Sequence, residues 1–154
     1  MKTILSTAAA ILALSGTAAL AEGDVDTGER DFKKCKACHA IVDPAGEVIV
    51  KGGKTGPNLW GVVGRAAGTD ENFKRYSDEL VGFGADGFVW TEEEVAAYVP
   101  NAGDWLADKL GLDKVRTAMT PQRVKDPADV AAYLAQYATP AEDGEEADAE
   151  ESDD

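Results

Sequence analysis

The chain has 154 residues and a formal net charge of −14 at pH 7, with 29 Asp and Glu against 15 Lys and Arg. That balance makes nucleic acid a poor partner, because affinity for a phosphate backbone rests on clustered cations. With two cysteines, one histidine and two methionines, any site needing sulfur or imidazole has little choice of residue.

Residues 1–21 read as a secretory signal peptide. Lys2 supplies the positive start, Ala8 to Leu14 a short apolar core, and Ala19-Leu20-Ala21 a small-x-small cleavage site. This apolar stretch is too short for a permanent anchor, and no later segment is continuously apolar for long enough, so no stable membrane insertion is expected. No cysteine stands at the cleavage point to carry a lipid. The expected product is exported, soluble and periplasmic, beginning at Glu22, and Met119 is then its sole methionine. At the far end, residues 141–154 hold nine acids and no base, the composition of a solvated disordered tail. The folded body is expected over 22–140, a single-domain length, with 14 Lys and Arg against 20 Asp and Glu.

Asp26-Thr27-Gly28-Glu29 has the pattern of a helix start with a capping box, and the helix can run through Phe32. Gly28 either weakens this helix or permits close contact with another. The helix leads into Cys35-Lys36-Ala37-Cys38-His39, which contains every cysteine and the only histidine of the chain. Two thiols two residues apart, followed at once by an imidazole, can bond the two vinyl groups of a haem while the imidazole reaches the iron; this is the attachment pattern of a c-type haem. A zinc site would need about four ligands, and no second Cys or His cluster exists to complete one. A thioredoxin-like dithiol belongs in a βαβ pattern that the chain lacks. A disulfide over so short a loop removes little unfolded-state entropy and has no use for the adjacent His. Haem is the favoured reading, with a dithiol or disulfide as what remains.

From Ala40 to Thr69 the helical period disappears and seven glycines accumulate. A long irregular stretch inside a compact domain calls for something to wrap, and a haem serves. Val48-Ile49-Val50 is expected to pair as a brief strand after the turn Asp43-Pro44-Ala45-Gly46. Ser77 is a cap for a helix over Asp78 to Val81. Thr91 begins a clearer helix, with Glu92, Glu93 and Glu94 at its positive end and Val95, Tyr98 and Val99 on one face, stopped by Pro100. Asp104 is expected to cap Trp105 to Leu110, ended by Gly111. The last helix has Asp126 as cap, Pro127 at its first position and an apolar stripe of Val130, Tyr133, Leu134 and Tyr137. Its natural partner is the helix around Gly28 and Phe32. The fold class that follows is all-α: four to five short helices and long loops around one covalent haem, with the terminal helices crossing and little apolar burial without the cofactor.

A lone methionine is ordinarily a flexible core filler. Met119, however, lies in a non-helical stretch, Thr117-Ala118-Met119-Thr120-Pro121, in a chain with no second histidine, which makes it the candidate sixth ligand to iron. Sulfur there raises the reduction potential and closes the position that a peroxidase or gas sensor keeps open. One-electron transfer is therefore the expected chemistry, with a haem enzyme or gas-binding sensor with a displaceable Met119 as the alternative.

The sequence at this point resembles the class I cytochromes c, and most closely the long mitochondrial-like bacterial members of the cytochrome c2 type. The resemblance runs from about Gly28 to Tyr137. It rests on the attachment motif, on the stretch from Lys54-Thr55-Gly56-Pro57-Asn58-Leu59 to Gly64-Arg65, on Trp90, Tyr98, Thr117-x-Met119 and Ala132-Tyr133-Leu134. It implies the cytochrome c fold, one haem c bonded to Cys35 and Cys38, and axial ligation by His39 and Met119. It further implies that the Pro57 carbonyl accepts the Nδ1 proton of His39, that Arg65, Trp90, Tyr76 and Thr117 hold the haem propionates, and that Tyr98 lies beside the Met119 sulfur. The implied role is a soluble, monomeric electron carrier, not an enzyme, between membrane complexes such as a cytochrome bc1 complex and a terminal oxidase or photosynthetic reaction centre. Two departures stand out: Ala118 where the family commonly has Lys, and Pro121 where it has an aromatic.

The bases are not scattered. Lys33, Lys34, Lys36, Lys51 and Lys54 flank His39, and Lys109, Lys114, Arg116, Arg123 and Lys125 flank Met119, whereas residues 70–104 carry nine acids and two bases. A positive front made by Lys33, Lys34, Lys36, Lys51, Lys54, Lys114, Arg123 and Lys125 would steer the molecule to acidic patches on membrane redox complexes.

Overall fold

The structure is a computed structural model and describes residues 23–138. The expected signal peptide, 1–21, and acidic tail, 141–154, lie outside the described residues. Five helices dominate: α1 (Val25–Phe32), α2 (Asp78–Ala85), α3 (Glu92–Tyr98), α4 (Ala102–Leu110) and α5 (Pro127–Ala135). A 3-10 turn, Cys35–Ala37, follows α1, and β1 (Ile41–Val42) pairs antiparallel with β2 (Val48–Val50). The hairpin turns at Gly46, whose φ of 87° lies in the left-handed region that glycine tolerates. The fold is all-α apart from this small hairpin.

The helix starts show where local and tertiary forces meet. The cap of α1 lies two residues before the expected one: the Asp24 carboxylate accepts the Thr27 N–H at 2.6 Å, while the Asp24 N–H donates to Asp129 of α5 at 2.7 Å. A contact from the other end of the chain thus sets where α1 starts. α4 likewise starts at Ala102, with Asn101 as its cap and not Asp104. Asn101 accepts from the Asp104 N–H at 3.3 Å and donates its side-chain amide to the Asp104 carboxylate at 2.5 Å, so Asp104 is the reciprocal partner one turn in. α2 continues past Val81 to Ala85 because Gly84 lets it lie against the Ala67 carbonyl. Thr91 and Asp126 cap α3 and α5 as expected.

α1 and α5 cross at Gly28. A Cβ there would lie 1.9 Å from the Asp129 carbonyl oxygen, which decides between the two readings of this glycine in favour of close contact. One turn on, Phe32 packs against Tyr133 with ring centroids 5.3 Å apart. Tyr137, just past α5, packs on Trp60 at 5.6 Å, and its carbonyl accepts the Gly61 N–H at 2.8 Å. α5 also rests on α3, so the three helices form a wall behind the loop region. Among the described residues no helix is long and apolar enough to cross a membrane.

Candidate functional site

The 3-10 turn after α1 shapes the cysteine motif. The N–H groups of Cys38 and His39 both reach the Cys35 carbonyl, at 3.0 and 2.9 Å, which curls the five residues so that both thiols and the imidazole border one cavity. Both thiols are free, Cys35 half-buried and Cys38 exposed. Burial, reinforced by Asp31, pushes the Cys35 thiol up to about 11.

The loop over residues 52–58 lies directly against this turn. Gly53 N–H donates to the Lys36 carbonyl at 2.9 Å and Gly56 N–H to that of Cys38 at 2.8 Å. The approach is so close that a Cβ on Gly52 would sit 1.8 Å from the His39 carbonyl oxygen, and one on Gly53 2.2 Å from that of Ala37. Pro57 follows, and its carbonyl lies 2.8 Å from His39 Nδ1. A carbonyl can only accept, so Nδ1 carries the proton and Nε2 keeps its lone pair for an electrophile. Burial holds the imidazole below its ordinary pKa, against the opposing pull of the Pro57 bond. Asn58 then pins the loop: its side chain donates to the Val42 carbonyl at 2.7 Å and accepts from the Val42 N–H at 3.0 Å, and its own N–H reaches Asp70 at 2.7 Å.

The cavity encloses about 270 Å³ and its walls are mostly apolar. Its lining includes Cys35, Cys38, His39, Pro57, Arg65, Tyr76, Trp90, Tyr98, Thr117 and Met119, so every residue expected to contact the haem reaches the same space. Met119 is half-buried against the core. The Thr117 hydroxyl donates to the Met119 carbonyl at 2.9 Å, and Gln122 N–H donates to the Pro100 carbonyl at 3.1 Å. Ala118 and Pro121 are both exposed, Ala118 at the edge of the cavity; the segment is held by these hydrogen bonds and by buried Val115.

Arg65 is the half-buried cation of the wall, where Lys34 and Arg75 also line the cavity but are exposed. The Arg65 guanidinium donates to the carbonyls of Trp60, at 3.0 Å, and Asn58, at 2.9 Å. No carboxylate lies in ion-pair range of it among the described residues. Burial lowers its pKa, while Tyr76 and Asp70 act in the opposite direction. A half-buried cation at the edge of an apolar cavity suits a flat apolar ligand with an anionic rim, and the residues present therefore fit a haem with its propionates. Tyr98 is pushed up to about 12 by burial, so it stays a neutral hydrogen-bonding group there.

Several contributors were not singled out beforehand. Gly56, Asn58 and Asp70 act by what they touch across the fold. Arg75 lines the cavity, donates to the Thr55 carbonyl and lies 5.7 Å over the Phe73 ring. Gly56 and Asn58 stood inside the recognised Gly-Pro-Asn stretch, but only their contacts give them roles; Arg75 carried no sequence signal.

No family model matches the chain. Cytochrome c2 of Rhodobacter capsulatus is 53% identical over 129 residues, covering 84% of this chain and 93% of the relative. Cytochrome c-551 of Roseobacter denitrificans is 47% identical over 131 residues, covering 84% and 93% respectively. The solved structure of Rhodobacter capsulatus cytochrome c2 superposes with a TM-score of 0.71 at 54% identity, over 74% of this chain and 97% of that one. Identity at this level over nearly the full length of the relatives, joined to the same fold and a cavity that fits a haem, places the chain in the cytochrome c2 family of class I cytochromes c, electron-transfer proteins and not enzymes, which carry one covalent c-type haem and shuttle electrons between membrane complexes.

Proposed function

We propose that the haem of this cytochrome occupies the cavity beside the cysteine turn, bonded to the Sγ atoms of Cys35 and Cys38, with His39 Nε2 and the Met119 sulfur as axial ligands. The iron, when bound, supplies one reversible electron. Pro57 orients the imidazole and holds its proton on Nδ1. Arg65, with Tyr76, Trp90 and Thr117, holds the propionate edge, and Tyr98 packs beside the sulfur. The observation that carries this reading is that His39 and Met119, the sole imidazole and the sole described thioether, border one cavity with both thiols.

Replacing Met119 tests it. Wild-type ferric protein is expected to show the weak near-infrared absorption of sulfur-ligated haem, and Met119→Ala to lose it; its persistence in the variant rejects Met119 as ligand.

The protein acts in the periplasm as a monomer, exported by residues 1–21, and docks through a basic front. Lys33, Lys34, Lys36, Lys51, Lys54, Lys114, Arg123 and Lys125 are all exposed. Lys34 and Lys125, from the two ends of the chain, both act on Asp31, which supports a single continuous patch. Glu92 and Glu93 are exposed at the start of α3, within the acidic stretch. Such a division of charge orients an approaching partner before contact.

A further inference from the structure

Behind the cavity wall stands an aromatic ring, Trp105, that the haem contacts above do not use. Trp90 and Tyr98 line the cavity, and Trp105 of α4 backs both. Its ring is stacked on Trp90 with centroids 5.3 Å apart and edge-on to Tyr98 at 5.3 Å. Trp105 is in turn held from the outer side by one carboxylate. Glu94 of α3 accepts the Trp105 indole N–H on one oxygen at 3.2 Å and Lys109 Nζ on the other at 2.5 Å. Lys109 also lies 5.4 Å from the Trp105 ring centre. An exposed ion pair of this kind contributes little by itself. Here the Glu94 side chain is only 23% exposed, and it engages an indole donor that would otherwise lose its partner.

The position of this clamp matters because of what hangs from it. α4 ends at Gly111 and passes directly into the segment bearing Met119. That segment returns to the end of α3 through the Gln122–Pro100 hydrogen bond. Two of the supports of the Met119 segment, its covalent start and the Gln122–Pro100 bond, therefore depend on the α3–α4 pair that Glu94 joins. We propose that Glu94 is a positioning residue: by fixing Trp105 behind Trp90 and Tyr98 and locking α4 to α3, it governs how firmly Met119 closes the sixth position on the iron.

This rests on Met119 being the axial ligand, and the test separates the two. Ferric holoprotein is titrated with imidazole, which competes with sulfur for the iron, following loss of the near-infrared band. Glu94→Ala is expected to bind imidazole about tenfold more tightly than wild type. Trp105→Phe, which keeps a ring but removes the donor, moves in the same direction. Glu94→Gln keeps an oxygen for the indole and stays within about threefold of wild type. Ile41→Val, in the core but away from the cavity lining, serves as control and leaves the affinity unchanged. Wild-type affinity in both Glu94→Ala and Trp105→Phe overturns the proposal, as does an equal tightening in Ile41→Val, which would reduce the clamp to general stability. Absence of the band in the wild type overturns the Met119 assignment instead, and the proposal with it.

Discussion

Gly56 lies against the face of the His39 imidazole, so close that a Cβ at position 56 would sit 2.4 Å from Cε1, 2.7 Å from Nδ1 and 2.8 Å from Nε2. Three ring atoms at that range leave no side chain room. The backbone that carries Gly56 continues at once into the Pro57 carbonyl bonded to Nδ1, so one short segment sets both the plane of the ring and its protonation.

Gly56→Ala therefore forces either the ring or the loop to move. We expect the holoprotein to lose about 1–3 kcal/mol in guanidinium unfolding, the usual cost of overpacking, together with a changed midpoint potential because the imidazole is reoriented. An unchanged potential would show that the ring has kept its place.

At Gly28, helix propensity and packing predict opposite signs. In an exposed helix interior, Gly to Ala stabilises by about 1 kcal/mol. At this crossing a Cβ meets the Asp129 carbonyl oxygen at 1.9 Å and Tyr133 Cβ at 2.8 Å, and backbone cannot yield as a flexible side chain does. Gly28→Ala is expected to destabilise by at least about 1–3 kcal/mol, read as a lower denaturant midpoint.

Asp24 provides a pH signature. The Thr27 backbone hydrogen bond, followed by the Thr27 side chain, holds its carboxyl below the ordinary value of 3.8. A depressed native pKa means that the charged group adds stability above the ordinary carboxylate range and that this addition is lost as pH falls through the native pKa. Asp24→Asn keeps a side-chain oxygen for the cap but cannot titrate. The difference in Tm between wild type and Asp24→Asn should thus be largest near neutrality and shrink in acid.

The basic front makes an ionic-strength prediction. Electron transfer to a membrane redox partner should slow steadily as salt rises, because the attraction between exposed charges is screened. Lys125→Glu should slow it further at low salt and flatten the dependence. A rate that is level or rises with salt contradicts docking through this face, and stopped-flow measurement over a salt series decides it.

Much of this molecule could be read without coordinates because its chemistry is concentrated in rare residues. Cys35, Cys38, His39 and Met119 are few enough in the chain that their types and order name the cofactor and lead to the ligation proposed above, and the α5 stripe follows from a 3.6-residue period and a Pro-led start. What escaped depends on atoms distant in sequence. Asp24 outcompetes Asp26 as the α1 cap where Asp129 of α5 takes its N–H. Asn101 displaces Asp104 because an extended residue follows directly on Pro100. The choice between helix weakener and close contact at Gly28, the fit of Gly56 to the imidazole, and the joining of Glu94 to Trp105 were likewise settled only by packing. Periodicity, capping chemistry and ligand identity are local properties carried by residue type; close approach and hydrogen bonds across the fold are created when separate segments meet, and only the tertiary structure decides them.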